Sequence, residues 1–120
     1  MNDWQMREFL NYFQIESTAR FLGESYYLAV DRFAAGLPDR IAGIQALMDQ
    51  SESIAEQAET DRLKAAIHRL KGSAMTCGFA SLGDLLNAFQ YPGTNDFQRL
   101  DACARESIAE WRSFRTGIPT

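Results

Sequence analysis

Between Tyr26 and Met48 the apolar residues Tyr26, Tyr27, Val30, Phe33, Ala34, Leu37, Ile41, Ile44, Leu47 and Met48 recur at i, i+3, i+4 and i+7. That spacing lines one face of an α-helix. Pro38 sits inside the pattern and is expected to kink the helix or split it into two. Two further segments repeat the period. One runs from Thr60 or Asp61 to about Cys77, with Gly78 as its stop. The other opens at Asn95 or Asp96 and runs to about Arg115, with Phe97, Leu100, Ala104, Ile108, Trp111 and Phe114 on one side. Between them Ser81 is read as the cap of a short helix whose apolar face is Leu82, Leu85, Leu86 and Phe89, ended by Tyr91-Pro92-Gly93. At the N-terminus Asn2 or Asp3 is read as capping a helix to about Phe13, followed by a short turn from Ser17 or Thr18 and a break at Gly23. Ser51 to Thr60 is polar and acidic, and reads as a loop with a helical portion. No strand-like alternation bounded by turn signals occurs. The expected fold is all-α, and several amphipathic helices joined by short loops bury their stripes best as an antiparallel bundle.

A chain of 120 residues supports one domain. Acidic residues number 16 against 12 basic, a formal net charge of −4, which argues against a general nucleic-acid binder. No apolar run approaches the roughly 18 residues of a membrane span, and the N-terminus lacks the apolar stretch of a secretory signal. Cys77 and Cys103 form neither a disulfide framework nor a CxxC pair. The expectation is a reduced, cytoplasmic protein. His68 is the single histidine, and without a ligand cluster around it no metal or other cofactor is expected. The charge is unevenly spread. From Asp61 to Gly72, Arg62, Lys64, Arg69 and Lys71 stand against Asp61 alone, a local charge of +3, so the remainder carries −7.

A helical wheel at about 100° per residue sharpens this basic island. Lys64, Lys71, Gly72, Met75, Asp61 and Ala65 fall within about 60° of His68. Leu63, Ala66, Ile67, Leu70, Ala74 and Cys77 fall on the far side. The apolar stripe opposes the histidine, so His68 is expected to project outward rather than serve as a hydrogen-bonded core residue. Gly72 costs roughly 1 kcal/mol relative to alanine in mid-helix. It serves close packing, is merely tolerated, or gives another molecule clearance to the imidazole, and its place on the exposed face favours clearance. Lys71, one turn from His68, is either a solvated lysine or a point charge for an anion held on that ring. Lys64 extends the positive field or is simply solvated. Ser73 lies near the core boundary and reads as structural. From Ser73 to Asn95 only Asp84 is charged, which fits a buried segment or an apolar, small-residue surface including Met75.

The stretch His68-Arg69-Leu70-Lys71-Gly72-Ser73-Ala74, with Gly78 and then Leu82, Leu85 or Leu86 and Phe89, resembles the histidine phosphotransfer (HPt) domain family, whose motif is H-x-L-K-G-S-A. The upstream segment Tyr26 to Leu47, with Phe33, Leu37-Pro38 and Ile41, is similar to that family's preceding helix. The resemblance covers roughly residues 20–115. Gln90 stands where the family often has glutamate, Ile67 where it often has alanine, and Asp49 to Thr60 is longer than the equivalent connection. The resemblance implies a helical bundle with a four-helix core, here over residues 20–115; the N-terminal segment is least covered by it, and residues 1–15 are expected to pack against the bundle as an additional helix. It implies that His68 accepts and donates a phosphoryl group, that Lys71 contacts the phosphate and that Gly72 gives clearance; Lys64, Ala65, Gly72 and Met75 around them are expected to dock the partner. The implied partner is a response-regulator receiver domain, a hybrid histidine kinase, or both, with the receiver supplying an acidic pocket and Mg²⁺.

These readings converge on a phosphocarrier rather than an enzyme, expected as a monomer with no nucleic-acid or membrane partner. The chain has no Walker-type phosphate loop, so ATP-dependent kinase activity is not expected. Met1 and the short tail after Arg115 point to a freestanding protein. One alternative is a non-phosphorylated HPt-like module that binds and inhibits a receiver or histidine kinase. A second is an enzyme using His68 as a general base, weakened by the lack of a neighbouring Ser, Cys or carboxylate other than Asp61.

Overall fold

The computed structural model describes residues 9–53, 57–88 and 94–117, and within them the chain forms five helices and no strand. In order they are α1 (Tyr12–Leu22), α2 (Glu24–Ser53), α3 (Gln57–Thr76), α4 (Ala80–Ala88) and α5 (Thr94–Thr116). Helices α2 to α5 contact one another in a closed ring, α2 on α3, α3 on α4, α4 on α5 and α5 on α2, and α1 lies on α2. This is the helical bundle that the periodicity predicts.

Helix α2 is one continuous helix of 30 residues with Pro38 inside it, so the expected split does not occur. Proline in a helix interior costs about 3 kcal/mol. Val30, Ala34, Leu37, Ile41 and Ile44 are each no more than 3% exposed, and burying a large apolar side chain contributes about 1.5–3 kcal/mol. The stripe outweighs the break, and Pro38 itself stays on the exposed side. The expected loop from Ser51 to Thr60 is mostly helical as well. Helix α2 reaches Ser53 and α3 begins at Gln57, which absorbs the apparent excess length of that connection into the helices.

The N-terminal helix needs correction. The helix expected over residues 1–15 does not run through Phe9 to Asn11. Residues 1–8 lie outside the described residues, Phe9 to Asn11 are not helical, and α1 runs from Tyr12 straight through Ser17 and Thr18. Asn11 is the cap, with its Oδ1 accepting from the Gln14 N–H at 3.0 Å. Ser17 and Thr18 do not interrupt the helix because Ile15 is fully buried and Ala19, one turn on, packs against the core. Phe13 is 83% exposed. Gly23, at φ 67°, ends α1 and donates its N–H to the Ala19 carbonyl.

A left-handed Gly78, φ 77°, ends α3. The Phe79 N–H donates to the Ala74 carbonyl at 2.8 Å and the Gly78 N–H to the Met75 carbonyl at 3.3 Å, the paired bonds of a Schellman cap. Helix α4 starts immediately after, at Ala80, so Ser81 lies within the helix rather than capping it; its N–H donates to the Phe9 carbonyl at 3.1 Å. Leu82 and Leu86 are buried and Leu85 is half-buried, while Phe89 and Tyr91-Pro92-Gly93 lie outside the described residues. Helix α5 buries Leu100, Ala104, Ile108 and Trp111 as the period predicts. It is antiparallel to α2: Trp111 Nε1 donates to Asp31 Oδ1 at 2.8 Å, and Arg115 donates to Asp31 and to Glu24 further up α2.

Candidate functional site

Helix α3 turns one face inward and the other out. Leu63, Ile67, Leu70, Ala74 and Cys77 are buried. His68, Lys64, Ala65 and Gly72 are exposed on the opposite face, and Met75 is 47% exposed. Ile67, which departs from the resembled motif, is a core side chain and does not border the imidazole's face. Among the described residues no hydrogen bond or ion pair engages the His68 ring. A solvated ring nitrogen is free to act as a nucleophile toward a group brought from outside.

Gly72 lies one turn beyond His68. A Cβ built there would meet nothing within 4 Å outside its own stretch of helix, so among the described residues no packing contact accounts for the glycine. Its carbonyl accepts from Thr76 Oγ1 at 2.9 Å. Arg62, Lys64 and Arg69 are all exposed, which keeps the basic island on the surface around the histidine.

Lys71 is where the structure adds most. It is half-buried rather than freely solvated, and its Nζ donates to Asn87 Oδ1 on α4 at 3.1 Å. Helix α4 approaches closely because Gly83 is buried beneath Met75; a Cβ at Gly83 would overlap Met75 Sδ. Met75, predicted to be a docking residue, therefore also packs between the two helices. Gly83 and Asn87 escape sequence reasoning because their partners lie on another helix. The only trace in the sequence is their spacing of one turn along α4, beside the buried Leu82 and Leu86.

The far end of α3 is tied down by neighbours. Gln14 Nε2 donates to the Met75 carbonyl at 2.6 Å and Tyr26 Oη to the Thr76 carbonyl at 3.0 Å. These bonds satisfy carbonyls that a helix end leaves open and hold the His68-bearing helix in place.

No group of three or more His, Cys, Asp or Glu among the described residues could hold a metal ion. No helix among them is long and apolar enough to cross a membrane.

The helical bundle, with an exposed histidine, a lysine and a glycine on one helix face, points to a class that the family comparison defines. A family model for the Hpt domain matches residues 29–110, about two-thirds of the chain, and the chain belongs to the Hpt domain family. Hpt domains serve histidine phosphotransfer in two-component phosphorelays, working with receiver domains and histidine kinases. Comparison with curated proteins and with solved structures returned no match. Helix α1 and the residues that precede it lie outside the matched range.

Proposed function

We propose that His68 is the phosphoacceptor of this Hpt domain, taking a phosphoryl group from a receiver aspartate and passing it on. The observation that carries the reading is the exposed imidazole on the face of α3 opposite the core, with Lys71 and Gly72 one turn away. In the forward direction the lone pair of the unprotonated ring nitrogen attacks phosphorus. The bond from phosphorus to the aspartyl oxygen breaks, its electron pair leaves with the carboxylate, and the proton on the other ring nitrogen passes to water. Lys71 offers its charge to the phosphoryl oxygens. Gly72 clears the approach, and Lys64, Ala65 and Met75 form the surrounding docking surface. The chain acts as a monomeric carrier without catalytic turnover of its own; the receiver contributes Mg²⁺ and most of the rate. Cys77 and Cys103 are free thiols, in keeping with a reducing, cytoplasmic setting.

Incubation with a panel of phosphorylated receiver domains tests this directly. At least one receiver loses phosphate to the chain, and the acquired phosphate is acid-labile and base-stable. His68→Gln gains none, with its helical circular dichroism and melting temperature unchanged. Acid-labile phosphate on His68→Gln would remove the assignment. Receivers that bind the wild type without losing phosphate would instead support a module that binds and inhibits its partner.

A further inference from the structure

We infer that Asn87 is a positioning residue of the phosphotransfer site, holding Lys71 in place while leaving its charge available. The inference rests on the reading of His68 and Lys71 proposed above.

The register of α3 against α4 supplies the geometry. Gly83 lies under Met75 and Asn87 meets Lys71. One step of a turn forward along α4 is one step of a turn back along α3, so the helices run antiparallel and α4 advances toward the His68 end. Side chains on a helix lean toward its N-terminus, so the Lys71 stem lies back over the turn that carries His68. Asn87, in the last turn of α4, is then the α4 group seen to reach the ammonium.

The chemistry of the acceptor matters as much as its place. A free lysine side chain samples many rotamers and loses that freedom when it is held. A hydrogen bond to Asn87 restrains that motion before a phosphoryl group arrives. The ammonium has three donors, so one can stay on Asn87 while the others face the phosphoryl oxygens. Because a lysine only donates, the amide oxygen must be the contacting atom. That oxygen is neutral, so the full positive charge of Lys71 remains for the incoming dianion. An aspartate here would form an ion pair and oppose the phosphoryl charge. The identity of residue 87 thus separates restraint from neutralisation, a distinction that packing alone does not require.

The test measures single-turnover loading from whichever phosphorylated receiver charges the wild-type chain. Asn87→Ala slows loading severalfold and Asn87→Asp by about tenfold, the charge change mattering more than the lost restraint. Asn87→Gln, which keeps the amide, loads within about threefold of wild type. In a Lys71→Ala background, Asn87→Asp has no further effect, because it acts through the lysine. Thermal melts of all variants stay close to wild type, since the bond lies at the surface.

The inference falls if Asn87→Asp loads at the wild-type rate. It also falls if Asn87→Asp slows loading equally with and without Lys71, which would make residue 87 a direct docking contact or a fold contact. If no receiver loads the wild type at all, the phosphotransfer reading fails and this inference fails with it, an outcome distinct from a loaded wild type with indifferent Asn87 variants.

Discussion

At Gly72 a Cβ would meet no atom within 4 Å beyond its chain neighbours and its own helix's backbone, and that open space separates stability from function. Among the described residues no packing contact needs a glycine there, and its backbone freedom costs roughly 1 kcal/mol against alanine in a helix. Gly72→Ala therefore raises the melting temperature, by a stabilisation of about 0.5–1 kcal/mol. Gly72→Leu folds equally well yet loads more slowly from a phosphorylated receiver, because the new side chain stands in the approach to His68. Thermal melts and transfer kinetics on the same two variants check this. Wild-type loading by Gly72→Leu would show that the clearance is not used. Gly78 and Gly83 behave oppositely. Gly78 sits at φ 77° against Ile15, and Gly83 lies beneath Met75, so a side chain at either one strains the bundle. The three glycines are identical as letters, and the wheel distinguishes only Gly72, whose exposure depends on its own helix. The other two depend on tertiary neighbours.

The same division runs through the elements. Helices α2, α3 and α5 are legible because their apolar residues keep a period of 3.6 over many turns, which outweighs even Pro38, and the short α4 shows the same period in Leu82, Leu85 and Leu86. The His68 face of α3 is legible for the same reason. The short α1 is not, since Asn2, Asp3, Ser17 and Thr18 are all acceptable caps in isolation, and the cap used is Asn11. The choice is made by the chain before it. The Phe9 and Leu10 N–H groups and the Tyr12 hydroxyl all donate to the Glu110 carboxylate on α5, at 2.8–3.3 Å. The Asn11 N–H donates to the Gly78 carbonyl at 2.8 Å, so this segment clasps the α3–α4 corner as well. No local pattern announces partners so distant in sequence, and the Lys71–Asn87 bond is hidden for the same reason. Glu110→Ala leaves three part-buried donors without their acceptor and lowers unfolding stability by about 2–3 kcal/mol. Urea denaturation measures it, with hydrogen exchange at Phe9 and Leu10 rising in parallel. His68 keeps its place on α3, so loading by receivers persists below the transition. An unchanged urea midpoint would mean that water replaces Glu110 without loss.

For the whole molecule, burial at the end of α3 adds an alkaline limit to stability. Burial pushes the Cys77 thiol from 9.0 up to about 11. It likewise pushes the Tyr26 hydroxyl from 10.0 up to about 12, with smaller contributions from Cys77 and Tyr27. Both groups are held neutral in the fold, and the unfolded chain gives up their protons first. The stability they contribute is complete well below pH 9, where neither group has ionised in either state. It declines from about pH 9 to 11 for Cys77 and from about 10 to 12 for Tyr26. The chain already carries a net charge of −4, so added negative charge at high pH acts in the same direction through self-repulsion. Urea midpoints are therefore flat from pH 7 to about 8.5 and fall steadily toward pH 12. Cys77→Ala removes the first part of that decline. Tyr26→Phe removes the second, and because it also deletes the bond to the Thr76 carbonyl it starts about 1 kcal/mol lower at neutral pH. The two variants thus differ in where their curves bend. A wild-type midpoint level to pH 12 would overturn the expected decline, and identical slopes in both variants would place that decline in the general charge of the molecule instead of in these two groups.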